Sequence, residues 1–333
     1  MEFDRMITTI DTHTGGAPTR TVISGIGPIP GETMAAKAQY LETEADFLRT
    51  MLLNEPRGSR VMSAAILTEP CRPDADIGVV FAEVGGYLPM CGHDTIGCVT
   101  AIHAANLVPL RKTPDEIRLD TPAGLVVARI DRTLSGERIV GFRNAPAFVM
   151  HRGVDVATER GVIRVDVAYG GNVYVIASAQ QSGISVSRHH VHDMIHHAAE
   201  LLRGVNDQVT IRHPGLPCIH GATHVSFVEP IDRSGHTTGA VVIPPGEVDR
   251  SPCGTGISAR LAVLKDRGLL EVGVSVHHVG VLGTAFDARI VELAVVGQQE
   301  AVVVEITGQA YVTGFHRFVA EPKDPLRDGF VLG

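Results

Sequence analysis

The chain carries the same short pattern twice. Residues 90–97 read Met-Cys-Gly-His-Asp-Thr-Ile-Gly, and residues 252–258 read Pro-Cys-Gly-Thr-Gly-Ile-Ser. Each is a Cys-Gly-polar turn that follows a strand-like run and opens an apolar helical stretch. Cys91 and Cys253 lie 162 residues apart in a chain of 333, close to half its length. A turn repeated at half the chain calls for two lobes of like build, each presenting a cysteine at a helix start and facing the other. The length agrees, because about 150 residues per domain gives two domains. A chain of this size also removes roughly three-quarters of its unfolded surface from water.

The coarse pattern is mixed α/β, with strands outnumbering helices. Residues 34–54 place Met34, Ala38, Leu41, Ala45, Leu48 and Leu52 at helical spacing, and Pro56 acts as a stop. Residues 94–107 and 256–268 read as shorter, more apolar helices, and 189–203 as a fourth with Val191, Ile195, Ala198 and Leu202 on one face. β-Branched runs predict strands at 77–84, 124–130, 162–168, 172–177, 239–243, 287–296 and 301–306. Gly85-Gly86, Gly170-Gly171 and Pro244-Pro245-Gly246 punctuate them as turns. No linker is visible, so the domain boundary is expected as a plain crossover near 125–135.

Composition narrows the class of partner. Acidic residues outnumber basic ones, 37 to 29, and no lysine/arginine block occurs. Nucleic acid and anionic membrane are therefore excluded as expected partners, since both call for a positive footprint. The first residues are charged and lack the apolar core of a secretory signal, and no apolar run approaches a membrane span. Five cysteines are an odd, sparse set that argues against a disulfide framework. The expectation is a soluble protein of a reducing compartment, the cytoplasm. A homodimer is allowed for, since the sequence does not fix the oligomeric state.

A thiol at a helix N-terminus sits among unpaired N–H groups and the positive end of the dipole, which favours its thiolate. The glycine after each cysteine, Gly92 and Gly254, lets backbone N–H groups approach a carboxylate closely. With both helix starts on one cleft, a small carboxylic acid would have a sulfur on each side of its α-carbon. One sulfur would remove the α-proton and the other return a proton to the opposite face. Cys71, Cys98 and Cys218 read instead as small core hydrophobes.

Other polar residues divide between functional and structural readings. Asp249, four residues before Cys253, either receives a substrate ammonium or caps its own turn. His93 either donates to a carboxylate or the cysteine, or bonds a backbone group at its helix start. His224 alternates toward one face of a strand, as a half-buried histidine does. His189, His190, His192, His196 and His197 suggest metal, with His192 and His196 one turn apart. The glutamate of a His-Glu-x-x-His motif is missing, however, so a solvated helix face accounts for them better. Cys91 and His93 form a Cys-x-His pair with no second pair to complete four ligands. No metal is expected. No cofactor is expected either, since no Walker loop or Gly-x-Gly-x-x-Gly follows a strand.

At these residues the sequence resembles the proline racemase family, which includes the 4-hydroxyproline 2-epimerases. The resemblance runs nearly end to end, through Asp11-Thr-His-Thr-Gly-Gly, Glu55-Pro-Arg-Gly, the Cys91 motif, Asp120-Thr-Pro-Ala-Gly, Val165-Asp-Val-Ala-Tyr-Gly-Gly-Asn, Asp249-Arg-Ser-Pro-Cys-Gly-Thr-Gly and Asp324-Pro-Leu-Arg-Asp-Gly-Phe. It implies the diaminopimelate-epimerase-like fold, two pseudo-symmetric α/β lobes in which a mostly antiparallel, barrel-like sheet wraps a central helix. Residues 1–128 with about 308–333 would form the first lobe, and 129–307 the second. It also implies cofactor-independent proton transfer with Cys91 and Cys253 as thiolate and thiol. Gly92, His93, Gly254 and Thr255 match the family's ligand-binding turns, and Asp249 its acidic residue near the ring nitrogen of an imino acid substrate.

Cys253 separates this chain from the similar trans-3-hydroxyproline dehydratases, which carry threonine there. His224 resembles the strand histidine of the 4-hydroxyproline epimerases, so the reading leans to 4-hydroxyproline 2-epimerase, with proline racemase as the alternative. A dehydratase, or a binder of imino acids without turnover, are further alternatives. Departures from the family pattern fall at Ala17, Ser59 and Val279-Gly280, where they bear on the pocket wall or its support.

Overall fold

The computed structural model describes residues 3–108, 116–133, 135–217 and 219–332, so Cys218 lies outside the described residues. The chain divides into two compact units, Met1–Phe142 with Gln309–Gly333, and Arg143–Gly308. Unit 1 holds β1 (Arg5–Thr14), β2 (Ala17–Ser24), α1 (Met34–Glu44), α2 (Phe47–Leu53), β3 (Ser63–Thr68), β4 (Ile77–Glu83), β5 (Gly86–Leu88), α3 (Gly92–Ala105), β6 (Glu116–Thr121) and β7 (Gly124–Arg132). After β8 (Arg138–Arg143) the chain enters unit 2. That unit holds β9 (Ala147–Thr158), β10 (Gly161–Tyr169), β11 (Val173–Ser178), α4 (Val191–Gln208), β12 (His224–Val228), β13 (His236–Ile243), β14 (Glu247–Val248), α5 (Gly254–Asp266), β15 (Ser275–Val279), β16 (Ala285–Val296) and β17 (Gln299–Gly308). The last strand, β18 (Ala310–Ala320), belongs to unit 1.

The two units repeat one strand topology. In unit 1, β1–β2 is antiparallel, β2–β3 parallel, β3–β4 and β4–β5 antiparallel, β4–β6 parallel and β6–β7 antiparallel. In unit 2 the series β10 to β16 pairs in the same order and sense. β18 flanks β1 as β9 flanks β10, both antiparallel. In unit 2, β16–β17 and β17–β9 close the series into an eight-stranded barrel. The duplication expected from the paired cysteine turns is thus a duplication of the whole strand plan.

α3 and α5 occupy equivalent places, between the fifth and sixth strands of each series. Every residue from Gly92 to Ile102 of α3 is buried, as is every residue from Gly254 to Val263 of α5. α5 packs against β9, β10, β11, β16 and β17, and α3 against β1, β2, β3 and β18. A helix enclosed by a sheet has no solvent face, which is why neither sequence shows an amphipathic stripe. Close packing demands small residues. A Cβ on Gly170, at the β10–β11 turn, would lie 2.3 Å from the Thr255 carbonyl oxygen and 2.5 Å from Ala259 N. On the outside, α4 is amphipathic and buries Met194, His197, Ala198, Leu201 and Val205.

Two expectations need correction. The helix read over 34–54 is broken at Ala45–Asp46 into α1 and α2. Ala45 leaves the helical region at φ −138° and ψ 27°, and Asp46, the N-cap of α2, clasps Arg49 at 2.7 Å for each of two bonds. The histidine-rich face of α4 is also not solvated throughout. His189, His190, His192 and His196 are exposed, but His197 is fully buried, with Nδ1 2.9 Å from Glu200 Oε2 and its ring stacked on Phe227. Its place on the inward stripe with Met194 and Leu201 sets it apart from the other histidines. Among the described residues no helix is long and apolar enough to cross a membrane.

Candidate active site

In unit 1 the short β4–β5 hairpin delivers the chain to Cys91, the N-cap of α3, in extended conformation at φ −136° and ψ 121°. Its side chain does not cap the helix; Sγ points instead to His93 Nδ1, 3.3 Å away. The other ring nitrogen of His93, Nε2, lies 2.9 Å from Ser63 Oγ on β3 and 3.3 Å from Asp94 Oδ1. Ser63 Oγ is in turn 2.6 Å from Asp94 Oδ1 and 2.8 Å from the Pro18 carbonyl oxygen. Thr14 fixes the backbone by donating to the His93 carbonyl oxygen at 2.9 Å. Asp94 is completely buried, in the first turn of α3, where the helix dipole favours its negative charge. Gly92 and His93 fill the first helical positions.

In unit 2 the equivalent place is reached differently. Cys253, the N-cap of α5, stands at φ 65° and ψ 87°, a left-handed conformation for a residue with a Cβ. Such strain costs on the order of 1–3 kcal/mol and collects where function needs it. Here Pro252 and Ser251 impose it, with the Cys253 N–H donating to Ser251 Oγ at 3.1 Å. Tyr174 Oη, from β11, lies 3.5 Å from Cys253 Sγ and 2.5 Å from Thr255 Oγ1, which is itself 3.8 Å from the sulfur. A Cβ on Gly256 would sit 3.2 Å from Sγ and 3.3 Å from the Tyr174 ring, so glycine there makes room for both. Burial pushes the Cys253 thiol up, the Asp249 charge pushes it further, and the Tyr174 hydroxyl bond pulls it back. Burial, with the neighbouring thiol, also raises the Tyr174 phenol well above its usual value.

His224, at the start of β12, is buried with its ring 4.9 Å from that of Tyr174. Burial lowers its pKa to about 3, so it is neutral at physiological pH. Thr223 Oγ1 lies 2.7 Å from His224 Nδ1 and 3.5 Å from the Val173 carbonyl oxygen. The shorter bond takes the threonine proton to Nδ1, which leaves Nε2 as an N–H donor. Asp249 is buried, and its Oδ1 accepts the Ser251 N–H at 2.8 Å, the turn-capping role. The carboxylate thus braces the Ser251–Pro252 segment that sets Cys253. Gly280, one of the departures from the family pattern, backs the same segment, since a Cβ there would lie 3.2 Å from Pro252 Cα. Ala17 is buried on β2, and Ser59 is exposed.

Unit 1 therefore brings Cys91, Gly92 and His93 together, and unit 2 brings Cys253, Gly254, Thr255, Asp249 and His224 together. Sequence reasoning passed over Ser63, Asp94 and Tyr174. Asp94 lies inside the repeated motif. Ser63 reaches His93 across 30 residues and Tyr174 reaches Cys253 across 79, where α3 packs on β3 and α5 on β11, which leaves no local trace. Cys98 is wholly buried, with its thiol pushed up by burial, and Cys71 is half-buried.

Two groups of three side chains among the described residues converge as metal ligands do, Cys91–His93–Asp94 and Glu159–His196–Glu200. In the first, Cys91 Sγ, both His93 ring nitrogens and Asp94 Oδ1 are engaged with one another or with Ser63, and a structural zinc site takes four protein ligands. In the second, Glu200 already accepts from the Glu159 N–H at 3.0 Å and engages His197.

A family model described as proline racemase matches residues 9–331. The chain is 46% identical over its full length to an uncharacterised protein of Bacillus anthracis, covering 96% of that protein. It is 40% identical to a proline racemase of Clostridioides difficile and 41% identical to a 4-hydroxyproline 2-epimerase of Streptosporangium roseum, with 100% of both chains covered in each case. Among solved structures it resembles a hydroxyproline epimerase from Agrobacterium vitis with bound trans-4-hydroxy-L-proline. The TM-score is 0.93 and the identity 31%, covering 100% of this chain and 96% of that one.

Proposed function

Since the chain belongs to the proline racemase family, whose named relatives are isomerases, we propose that it inverts the α-carbon of a proline-type imino acid, acting as a 4-hydroxyproline 2-epimerase. The reaction needs no cofactor. One cysteine, as thiolate, takes the α-proton from one face, and the other, as thiol, delivers a proton to the opposite face. The N–H groups of Gly92, His93, Gly254 and Thr255 stabilise the charge that builds on the substrate carboxylate as the α-carbon loses its proton. Asp249 offers a negative charge to the ring ammonium. Tyr174 and Thr255 donate to Cys253 when it carries the charge.

The observation that carries the choice of substrate is His224. Overall identity does not separate proline racemases from hydroxyproline epimerases, at 40% and 41%. A neutral histidine with a free-running N–H donor, beside the Tyr174 that touches Cys253, suits a substrate hydroxyl. A site that hydrogen-bonds a hydroxyl discriminates strongly against the analogue lacking it. Proton NMR in D₂O, with trans-4-hydroxy-L-proline and L-proline in separate tubes, tests this. Loss of the hydroxyproline α-proton with growth of cis-isomer resonances is expected, and His224→Ala should remove the preference over proline. Exchange with proline alone would make the protein a racemase and leave His224 structural.

A further inference from the structure

The two cysteines occupy the same place in the repeated plan, yet their surroundings differ in kind. Each is the N-cap of a buried helix, and they are buried alike, at 7% and 6% exposure. Helix dipole and burial therefore do not distinguish them. Their partners do: an imidazole backed by a carboxylate for Cys91, and two neutral hydroxyls for Cys253.

A proton inventory fixes the Cys91 side. Ser63 Oγ has one proton and two oxygen acceptors within hydrogen-bond distance, Asp94 Oδ1 at 2.6 Å and the Pro18 carbonyl oxygen at 2.8 Å. That single proton goes to one of these two oxygens, both nearer than the ring nitrogen of His93. Ser63 Oγ then faces His93 Nε2, 2.9 Å away, as an acceptor, and Nε2 must carry hydrogen. Nδ1 is left with its lone pair directed at Cys91 Sγ, 3.3 Å away. This is the order of a thiol–imidazole–carboxylate relay with a serine hydroxyl inserted between the last two members. Cys98, two turns along α3 from Cys91, is held neutral by burial, to which the Asp94 charge adds.

We propose that Ser63 and Asp94 are positioning residues that make His93 the proton acceptor of Cys91, so that the free protein rests with a thiolate on Cys91 and a thiol on Cys253. The step moves one proton. The Sγ–H bond breaks, the electron pair stays on sulfur, and the proton binds Nδ1, giving an imidazolium whose Nε2–H is held by Ser63 and Asp94. Cys91 is then the base that meets the first substrate, and Cys253 the acid. This rests on the reading of the two cysteines as the proton-transfer pair.

Alkylation by iodoacetamide without substrate, located by peptide mass spectrometry between pH 5.5 and 9, reads the resting thiolate directly, because only thiolate reacts. Cys91 should react at least about tenfold faster than Cys253 at pH 7, with a midpoint below the roughly 8.5 of a free thiol. Asp94→Asn should move the Cys91 midpoint up by about one pH unit and slow its labelling at pH 6.5 by about tenfold. His93→Gln should do so at least as strongly. Labelling of Cys253 at an equal or greater rate overturns the proposal, and that result needs only the unaltered protein, whatever the variants do to folding. So does an unshifted Cys91 profile in folded Asp94→Asn. Failure of the underlying reading looks different: Cys91→Ser would then retain α-proton exchange, wherever the label goes.

Discussion

Removing one oxygen atom, by Tyr174→Phe, probes the Cys253 side. The phenol lies 2.5 Å from Thr255 Oγ1 and 3.5 Å from Cys253 Sγ, and burial keeps it protonated at every working pH. It therefore always has one proton to give. When Cys253 is a thiol that proton serves Thr255, and when it is a thiolate the proton serves the sulfur. A hydrogen bond to a charged group contributes about 1.5–3 kcal/mol. Its loss should raise the Cys253 pKa by roughly one to two units at 1.36 kcal/mol per unit. The direction adds to the burial and Asp249 effects that already hold this thiol high. The pH dependence of kcat/KM should move its Cys253 limb upward by that amount, and kcat/KM at pH 8 should fall by about ten- to a hundredfold. The fall must be the same for both epimers, because the overall equilibrium belongs to the substrates and not to the protein. Initial rates by polarimetry in each direction, at half-unit pH steps, supply the profile. A variant that loses rate with an unmoved limb would show that the phenol acts by packing alone. A superimposable profile would remove Tyr174 from the chemistry altogether.

Two further outcomes concern the frame around the site. Gly170→Ala sets a Cβ against backbone atoms of α5 at 2.3 and 2.5 Å, so the helix must shift. A loss of about 3 kcal/mol or more is expected, read as a lowered urea midpoint at unchanged slope, and a stable variant would mean that the β10–β11 turn yields. Acid should weaken unit 2 through His224 and His278, both buried and lowered to about 3, first of all by burial. Each stays neutral when folded while its unfolded counterpart protonates near 6.5. Stability is therefore full above pH 6.5 and falls as pH drops toward 3. By pH 5 the loss is roughly 2 kcal/mol per histidine. Hydrogen exchange at pH 7 and pH 5 should show the strands of unit 2 opening first, and His224→Gln should flatten the dependence.

What the sequence displays depends on whether the cause is local. A cysteine followed by glycine at the start of an apolar run is a local statement about backbone and dipole, and both Cys91 and Cys253 stand at the N-cap position of a helix as that statement requires. The alternating strands were legible for the same reason. β18 was not, because most of its side chains, among them Tyr311, Val312 and Phe315, are exposed and its pattern carries no period of two. β1 was hidden by its threonines, of which Thr9, Thr12 and Thr14 are buried in spite of their polarity. His197 was misplaced because charge class outweighed helical phase. The supporting residues of the site were invisible because the packing of α3 on β3 and of α5 on β11, not sequence proximity, brings Ser63 to His93 and Tyr174 to Cys253.

The duplicated plan and the unequal cysteines belong to one argument. Transfer of a proton across an α-carbon needs a base and an acid at the same moment. Two identical thiols would titrate as a pair, with macroscopic pKa values that belong to neither. If both had an imidazole partner, neutral pH would produce two thiolates and no acid. If both had only buried hydroxyl partners, it would produce two thiols and no base. The repeated strand series supplies two equivalent helix starts, and the sequence then differentiates them at the caps. On α3 the cysteine is extended and meets His93, with Asp94 and Ser63 behind the ring; on α5 it is forced into the left-handed region and meets Tyr174 and Thr255. On the mechanism proposed above, the repeated fold supplies the two thiols and the asymmetry of their neighbours charges one of them.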